Sequence, residues 1–274
     1  MPELPEVETV VRMLGPLKRR VIREAIVLHK PTIAGSPGEM KLLNGRRIER
    51  IWRRAKFIRI DLDGSLGLAI HLRMTGWLGV LKAESKDPKR DPYIRVRFPL
   101  DDGSEHLVFN DIRTFGRIWC GTRESLDALP ALQKLGPEPF DISPTVFAKR
   151  LRSKKSRLKS LLLNQEFLAG VGNIYADESL FRAGLHPLTR AENVSVARAE
   201  KLLKAIQDVL QEAIDAGGSS VENFKRPDGE SGWFQRELRM YGRNDQQCLV
   251  CGTTVKRILV GQRSTCFCST CQKK

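Results

Sequence analysis

The chain has 274 residues, of which 41% are hydrophobic, so it is long enough for two or three modules that each bury a core. Its 47 lysines and arginines outnumber its 32 acidic residues and give a formal net charge of +15, which favours a polyanionic partner. There is no apolar run of membrane-spanning length and no secretory signal, so we expect a cytoplasmic protein without a membrane partner.

The first six residues, MPELPE, combine a helix start with a reactive group. Removal of Met1 would leave Pro2 as a secondary amine, which can attack an electrophilic carbon and form a cationic iminium. An α-amine has a pKa of about 7.7–8.0, and the positive end of a helix lowers the pKa further. Glu3 lies beside this amine as a general acid/base. The alternative is a proline that starts a helix, with carboxylates that complement the helix dipole.

The residues that follow predict one amphipathic helix. Pro5 suits the first turn of a helix. Val7, Val10, Val11 and Leu14 then repeat at the spacing of one apolar helical face. We therefore expect a short helix that buries this face.

Period-2 patterns dominate from there to about residue 120. Apolar residues alternate on both sides of Asp63-Gly64 and again on both sides of Asp102-Gly103, which predicts two β-hairpins. Several such strands indicate a two-layer sandwich or a barrel. The polar segment 82–92 is expected to form an exposed loop.

Helical patterns follow a linker at residues 135–139. Ser143 and Pro144 form a cap with a first-turn proline. Ser195 begins a long amphipathic helix, which we expect to end at the pair Gly217-Gly218.

A glycine-rich turn at residues 169–175 lies between two helical stretches. Its two glycines allow close approach of a ligand to the backbone, and Asn173 is expected to cap the next helix and aim N–H groups at a phosphate. The alternative is an ordinary helix–helix turn. The basic run at residues 153–159 is a solvated face in isolation, but beside a phosphate-binding turn it becomes part of a DNA footprint.

Five of the six cysteines lie in the last 27 residues. Two Cys-x-x-Cys pairs are separated by sixteen residues, and this arrangement predicts one structural Zn²⁺ with no open coordination position. Cys266 is off this spacing and is expected to be free. The four predicted ligands are Cys248, Cys251, Cys268 and Cys271.

Together these features resemble the formamidopyrimidine-DNA glycosylases, bacterial base-excision repair enzymes for oxidised purines. The resemblance covers essentially the whole chain. It implies an α+β multidomain protein with an N-terminal two-layer β-sandwich and flanking helix, a helix-two-turn-helix middle domain and a C-terminal four-cysteine zinc finger. The motifs that carry it are MPELPE at the start, RAKF at 54–57, HLRMTG at 71–76, DIRTFG at 111–116, GVGNIYADESLF at 170–181, YGR at 241–243 and the four cysteines.

The resemblance implies a role for each catalytic residue. Pro2 attacks C1′ of the damaged nucleotide, and Glu3 acts as acid/base in ring opening and Schiff-base formation. Lys56 takes part in base release and β-elimination, although without the resemblance it reads as an exposed lysine of a basic strand. Arg263 contacts phosphate and donates a proton in δ-elimination, and Glu6 supports the site.

The resemblance also implies DNA contacts. A glycosylase must extrude its target nucleotide and fill the gap. Met74, Arg113 and Phe115 match the family's void-filling residues, although by themselves Met74 and Phe115 would be expected in a core. The phosphate contacts implied by the resemblance are His71, Lys154, Lys155, Asn173, Tyr241 and Arg263.

We therefore expect three modules: a catalytic sandwich at 1–133, a helix-two-turn-helix domain at 134–224 and a zinc finger at 225–274. The expected function is excision of 8-oxoguanine and formamidopyrimidines from double-stranded DNA, followed by β,δ-elimination, by a monomer. One alternative is an endonuclease VIII-type glycosylase for oxidised pyrimidines. Another, of a different class, is a non-catalytic zinc-ribbon DNA-binding protein.

Overall fold

The computed structural model describes residues 1–85 and 90–274, which divide into two compact units. The first unit contains residues 1–133 and 216–233, and the second contains 134–215 and 234–274. These two units are groups of residues that pack together. They do not test the boundaries of the three modules expected from the sequence, which stay predictions. Among the described residues, no helix combines the length and apolar character needed to cross a membrane.

The first helix of the first unit, α1 (Leu4–Leu14), begins at a capping box. Glu3 is the N-cap, its side chain accepts from the backbone of Glu6, and the Glu6 side chain accepts from the Glu3 backbone. The predicted apolar face is confirmed, because all four of its residues are buried in the core, namely Val7, Val10, Val11 and Leu14.

Both predicted hairpins are present. The first pairs residues 57–62 with residues 66–71, and the second pairs residues 94–100 with residues 105–111, each in antiparallel register. Within residues 1–85 and 90–133, the strands of the first unit are β1 (Val21–Ile22), β2 (Ile26–Val27), β3 (Arg46–Arg54), β4 (Phe57–Leu62), β5 (Leu66–His71), β6 (Gly76–Lys82), β7 (Ile94–Leu100), β8 (Glu105–Asp111) and β9 (Arg117–Thr122).

These strands form the predicted two-layer sandwich. The hydrogen-bonded order is β6-β8-β7-β1-β3-β4-β5-β9, with β2 paired to β7. The β6-β8-β7 side and the β4-β5-β9 side share one core, to which residues such as Ile60, Leu68, Phe98 and Phe109 contribute. Strands β4 and β5 are buried at every position rather than alternately. On the face of β4 that points away from the core, the Trp52 indole N–H donates to Asp61 at 2.8 Å, and Arg59 donates at 2.6 Å to Asp127 of the helix α2 (Arg123–Asp127).

The remaining elements of the first unit are short. The polar segment 82–92 lies partly outside the described residues, which omit 86–89, and its last residues begin the 3-10 helix Asp91–Tyr93. The other elements are the helix α3 (Pro130–Gln133) and the 3-10 helices Gly15–Leu17, Lys30–Thr32 and Pro37–Leu43.

The second unit contains the predicted helices. Ser143 caps the first of them, because its side chain accepts from the Val146 N–H. Ser195 accepts from the Arg198 N–H at the start of the longest helix, and Gly217 and Gly218 follow its end with positive φ. The helices are α4 (Pro144–Arg152), α5 (Leu158–Leu163), α6 (Asn173–Ala183) and α7 (Val196–Asp215), with 3-10 helices at Ala191–Asn193 and Phe234–Arg236.

The predicted capping role of Asn173 is wrong. Gly172 is the N-cap of α6, no side chain caps it, and Asn173 is already the first helical residue. The Asn173 side-chain amide instead donates to the Ser264 carbonyl oxygen at 3.1 Å. The Asn173 side chain therefore binds a residue distant in sequence and does not provide the helix cap that the local sequence predicted.

The cysteine module is built on one hairpin, β10 (Lys256–Val260) paired with β11 (Arg263–Phe267). Its turn places Gly261 at φ 56° and Gln262 at φ 62°. Two consecutive positive φ values match the twist of the flanking strands, as in a type I′ turn. Arg263 is consequently an exposed residue next to the tip of the hairpin.

Candidate active site and DNA-binding elements

The N-terminus of α1 is held by one carboxylate. Glu6 Oε2 accepts from the Glu3 N–H at 2.8 Å, and Glu6 Oε1 accepts from the Ser219 N–H at 2.8 Å. Pro2, Glu3 and Glu6 are all buried. Both Glu6 oxygens are therefore used to join the helix start to the segment around Ser219, which suits a supporting role and not a reacting one.

Gly218 permits this close approach, and the sequence pattern alone assigned it only to a helix end. Its φ is +81°, and a Cβ there would lie 3.2 Å from Glu6 Oε1 and 3.1 Å from the Phe224 ring. A side chain at Gly218 would thus be strained and would push against the carboxylate that positions the N-terminus.

Lys56 lies in the tight two-residue turn between β3 and β4, and this turn is fastened to α1. Ala55 has φ 50°, and the Arg53 guanidinium donates to the Ala55 carbonyl at 3.2 Å and to Glu8 Oε2 at 2.9 Å. Burial opposes ionisation of Glu8, but hydrogen bonds from Arg12 and Arg53 outweigh it and hold the carboxyl pKa below its usual value. Lys56 is only 5% exposed, so the alternative of a solvated surface lysine is wrong.

His71, at the end of β5, is held neutral. Burial, reinforced by the positive charges of Arg73 and Lys56, lowers its pKa to about 3. Its Nδ1 accepts from the Arg73 N–H at 3.0 Å, so the neutral ring carries its proton on Nε2. The edge-to-face contact with Phe57, with centroids 4.7 Å apart, fixes the ring plane. Nε2–H is thus the donor that His71 can offer to a phosphate oxygen.

Two turns present the predicted void-filling residues. Arg73 has φ 55° in the turn that carries Met74, and Thr114 has φ 58° in the turn between Arg113 and Phe115. Phe115 is 47% exposed and Met74 is half-buried, so the alternative of a core role for Phe115 is wrong. The Arg113 guanidinium carbon lies 4.7 Å from the centroid of the Phe115 ring.

Asp111 ties the two turns together, and sequence reasoning missed it. Its carboxylate is fully buried and accepts from the Thr75 hydroxyl, from the Arg113 N–H at 3.3 Å and from the Gly116 N–H at 2.7 Å. A Cβ on Gly116 would lie 2.5 Å from the Phe109 ring, so the turn also requires that glycine. The sequence held one signal for this role. An aspartate in a turn commonly accepts a hydrogen bond from the backbone N–H two residues later, which is Arg113 here.

In the second unit, the buried carboxylate of Glu178 fixes the backbone position of Tyr241. Glu178 Oε1 accepts from the Met240 and Tyr241 N–H groups, each at 2.8 Å, and Oε2 accepts from the Arg239 N–H at 3.0 Å. Glu178 was not predicted, since no sequence pattern marks a helix carboxylate as the anchor of a distant loop. Lys154 and Lys155 are exposed, as a phosphate contact requires.

A buried ion pair supports the start of α6. Lys159 Nζ donates to Asp177 Oδ1 at 2.6 Å and to the Asn173 carbonyl at 3.0 Å, and neither member of the pair is more than 1% exposed. Asp177 Oδ2 accepts from the Cys266 N–H at 3.2 Å, which links the helix to β11. Removal of either charge would leave the other buried and unpaired, which is strongly destabilising.

The four predicted cysteine ligands cluster, with all sulfurs within 4.8 Å of one another. The Cys248–Cys271 and Cys251–Cys268 Sγ distances are 3.9 Å and 3.5 Å. Tetrahedral zinc with Zn–S bonds of about 2.3 Å requires sulfurs about 3.8 Å apart, so the donor set fits. The protein has one structural zinc site, and Cys266 lies outside it, buried on β11.

Comparison with known proteins agrees with this organisation. Residues 1–118 match the formamidopyrimidine-DNA glycosylase N-terminal domain, 135–225 match the H2TH domain of the same enzyme, and 245–274 match a zinc finger found in FPG and IleRS. The formamidopyrimidine-DNA glycosylases of Chloroflexus aurantiacus and Bacillus subtilis are 45% and 40% identical to this chain. They cover 99% and 100% of it, with 98% and 100% of their own lengths aligned.

Solved structures agree as well. MutM (FPG) from Thermus thermophilus has a TM-score of 0.88 and 38% identity, covering 99% of this chain and 98% of its own. A mutant of the Lactococcus lactis FPG, in complex with a Fapy-dG containing DNA, has a TM-score of 0.92 and 31% identity, with complete coverage of both chains. The chain therefore belongs to the formamidopyrimidine-DNA glycosylase family, DNA glycosylases with AP lyase activity that act in base-excision repair of oxidised purines.

Proposed function

We propose that the reaction runs through Pro2, once Met1 has been removed, on 8-oxoguanine and formamidopyrimidine nucleotides in duplex DNA. The secondary amine attacks C1′, the N-glycosidic bond breaks, and the base leaves with the bonding electrons and takes up a proton. The amine nitrogen loses its proton, Glu3 protonates the ring oxygen as the sugar opens, and a cationic iminium joins Pro2 to C1′.

Strand cleavage then uses the iminium as an electron sink. Loss of a proton from C2′ expels the 3′ phosphate in β-elimination, and a second elimination expels the 5′ phosphate. We assign Lys56 to base release and the first elimination, and Arg263 to phosphate contact and proton donation in the second. Each role is carried over from the family residue by residue.

One observation carries the proposal for the catalytic residues. Pro2 and Glu3 lie together, buried, at the positive end of α1, where Glu6 fixes the backbone. The helix terminus favours the neutral amine, and the adjacent carboxylate is within one residue of it. The capping box accounts for the backbone contacts of Glu3, and the proposal adds a reactive amine directly beside this carboxylate.

The same proposal assigns the DNA contacts. Met74, Arg113 and Phe115 fill the gap left by the extruded nucleotide, where an apolar wedge replaces stacking and a guanidinium binds the orphaned base. The phosphate contacts hold the duplex without reading its sequence. They are His71, Lys154, Lys155, Asn173, Tyr241 and Arg263.

We further propose that residues 1–133 carry the chemistry and that 134–224 and 225–274 hold DNA. Residues 219–224 would close over the flipped base, as the corresponding loop does in the family. We propose a monomer that acts on DNA of the bacterial nucleoid in the cytoplasm, and sedimentation of the free protein and of its DNA complex tests the stoichiometry.

The decisive experiment is borohydride trapping on a duplex with one 8-oxoguanine opposite cytosine, followed by peptide mapping of the adduct. We expect the adduct on Pro2 and much weaker trapping with Pro2→Gly, while the exposed-residue control Glu24→Gln traps normally. Full lyase activity in Pro2→Gly would overturn the assignment of the nucleophile. A parallel duplex with an oxidised pyrimidine measures the substrate preference.

A further inference from the structure

The second unit contains a basic cavity that the reaction does not use. Its volume is about 890 Å³, and ten residues from three segments line it. Half of these ten are lysine or arginine, none is acidic, and Leu188 is the one apolar member. Apolar ligands normally occupy pockets lined mainly by hydrophobic and aromatic side chains, so this lining selects against them and for an anion.

The positive charge of the cavity is mostly uncompensated. Arg190 pairs with Glu192 at 2.6 Å, and among the described residues the Arg198 guanidinium donates only to the Lys273 carbonyl, at 3.2 Å. Lys155 and Arg157 form no ion pair with the residues that the structure describes. A concave wall with unpaired cations concentrates its field on the space that it encloses.

Backbone hydrogen bonds join the segments of the wall that carry Arg157 and Arg190. Arg157 and Arg190 pair in an antiparallel bridge, and the N–H groups of Leu158 and Ala191 donate at 2.9 Å to the Thr189 and Ser156 carbonyls. The exposed guanidinium groups of Arg157 and Arg190 thus extend from a fixed backbone, and a guanidinium binds phosphate oxygens in a fork geometry.

We propose that this cavity is a second phosphodiester site, which binds the backbone of duplex DNA in one flank beyond the lesion. The inference rests on the proposed function, because Lys155 belongs both to the cavity lining and to the proposed phosphate contacts. A DNA strand whose phosphates contact Lys154 and Lys155 would place its next phosphates near Arg157, which lies on the same protein segment. Neutral donors on Ser156, Ser160 and Asn193 complete a lining suited to phosphate oxygens.

The test combines Arg157→Ala with Arg198→Ala. Arg157 makes no side-chain cap bond to α5, so its truncation leaves the helix start intact. The matched control is the double variant Arg182→Ala and Lys204→Ala, which removes two exposed cations of the same unit that pair with Glu212 and Asp208. The probes are duplexes with one 8-oxoguanine opposite cytosine, lengthened by one base pair at a time on either side.

We expect the affinity of the unmodified protein to rise stepwise at one flank length. The cavity variant should lack that step, bind long duplexes at least tenfold more weakly, and bind the shortest duplexes normally. The slope of log K against log salt should fall by about 0.9 for each lost phosphate contact. The control variant should retain the step.

Equal affinity of the cavity variant and the unmodified protein at every length would overturn the proposal. So would an equal loss at every length, because the cations would then act through a general field. A third outcome would also overturn it: affinity shows no step with flank length, while inorganic pyrophosphate protects the unmodified protein, but not the cavity variant, from unfolding. The cavity would then be a site for a small anion. Excision on the shortest duplex reports the proposed function separately, since it does not need the cavity.

Discussion

The buried carboxylate of Asp111 accepts a hydrogen bond from the hydroxyl of Thr75, which joins the turn after β5 to the turn after β8. The same carboxylate accepts from two backbone N–H groups of its own turn. Met74 on one turn and Phe115 on the other are therefore held as a pair and not as two independent loops.

Asp111→Asn is expected to loosen that pair. An amide offers one acceptor oxygen where the carboxylate offers two, and its NH₂ group would face donors, which costs about 1–3 kcal/mol when buried. We expect the duplex to be bound but the base to be extruded slowly, as measured by stopped-flow fluorescence of a 2-aminopurine beside 8-oxoguanine. Asp141→Asn, at an exposed site, is the control. A wild-type extrusion rate in Asp111→Asn would show that the hydrogen bonds of this carboxylate are not needed for gap filling.

Glu6→Gln should separate support from chemistry. Its side-chain amide would place a donor against the N–H of either Glu3 or Ser219, with a cost of about 1–3 kcal/mol. We expect a lower melting temperature and slower borohydride trapping, with the adduct still mapping to Pro2. Glu3→Gln should lose borohydride trapping. Its melting temperature should stay unchanged, because the hydrogen bond between Glu6 and the Ser219 N–H remains. If Glu6→Gln abolished trapping in a fully folded protein, Glu6 would have to act on the reacting atoms.

His71 predicts a specific acid sensitivity. Its folded pKa of about 3 is below the unfolded value of about 6.5, so the unfolded chain binds the proton first as the pH falls. This contribution to stability is complete above about pH 6.5 and is lost toward pH 3, with a slope of up to about 1.4 kcal/mol per pH unit.

The variant His71→Asn isolates that contribution. The asparagine oxygen can replace Nδ1 as acceptor for the Arg73 N–H but does not titrate. Urea unfolding between pH 7 and about pH 5 should show a shallower loss of stability in the variant. His106 and His186, whose pKa values burial also lowers, remain in both proteins, so the difference reports His71. Parallel stability profiles would mean that His71 is not desolvated in the folded protein.

Loss of a zinc ligand should unfold the C-terminal hairpin. Cys268→Ser removes a buried thiolate, and a site with three ligands binds Zn²⁺ far more weakly, so we expect metal-free protein with lost duplex affinity. Cys266→Ala is the matched control, because this buried cysteine lies outside the sulfur cluster. Zinc content by a chromophoric chelator and duplex binding are the measurements. Full zinc content in Cys268→Ser would exclude that residue as a ligand.

Local sequence patterns were sufficient to predict those elements that depend on residues close together in the chain. The apolar spacing of α1, the Asp-Gly turns of two hairpins, the serine caps of α4 and α7 and the paired cysteines each depend on residues a few positions apart. The family motifs supplied Lys56, Phe115 and the other proposed site residues, whose chemistry no periodicity reveals.

Tertiary structure alone decided which groups hold those residues in place. Asp111, Glu178 and the Lys159–Asp177 pair are ordinary charged residues in the sequence, and each acquires its role from partners that folding brings to it. Asn173 departs from its predicted cap for the same reason, because the Ser264 carbonyl competes for its side chain. A buried polar group must find a hydrogen-bond partner, and only the packed chain determines which partner lies within reach.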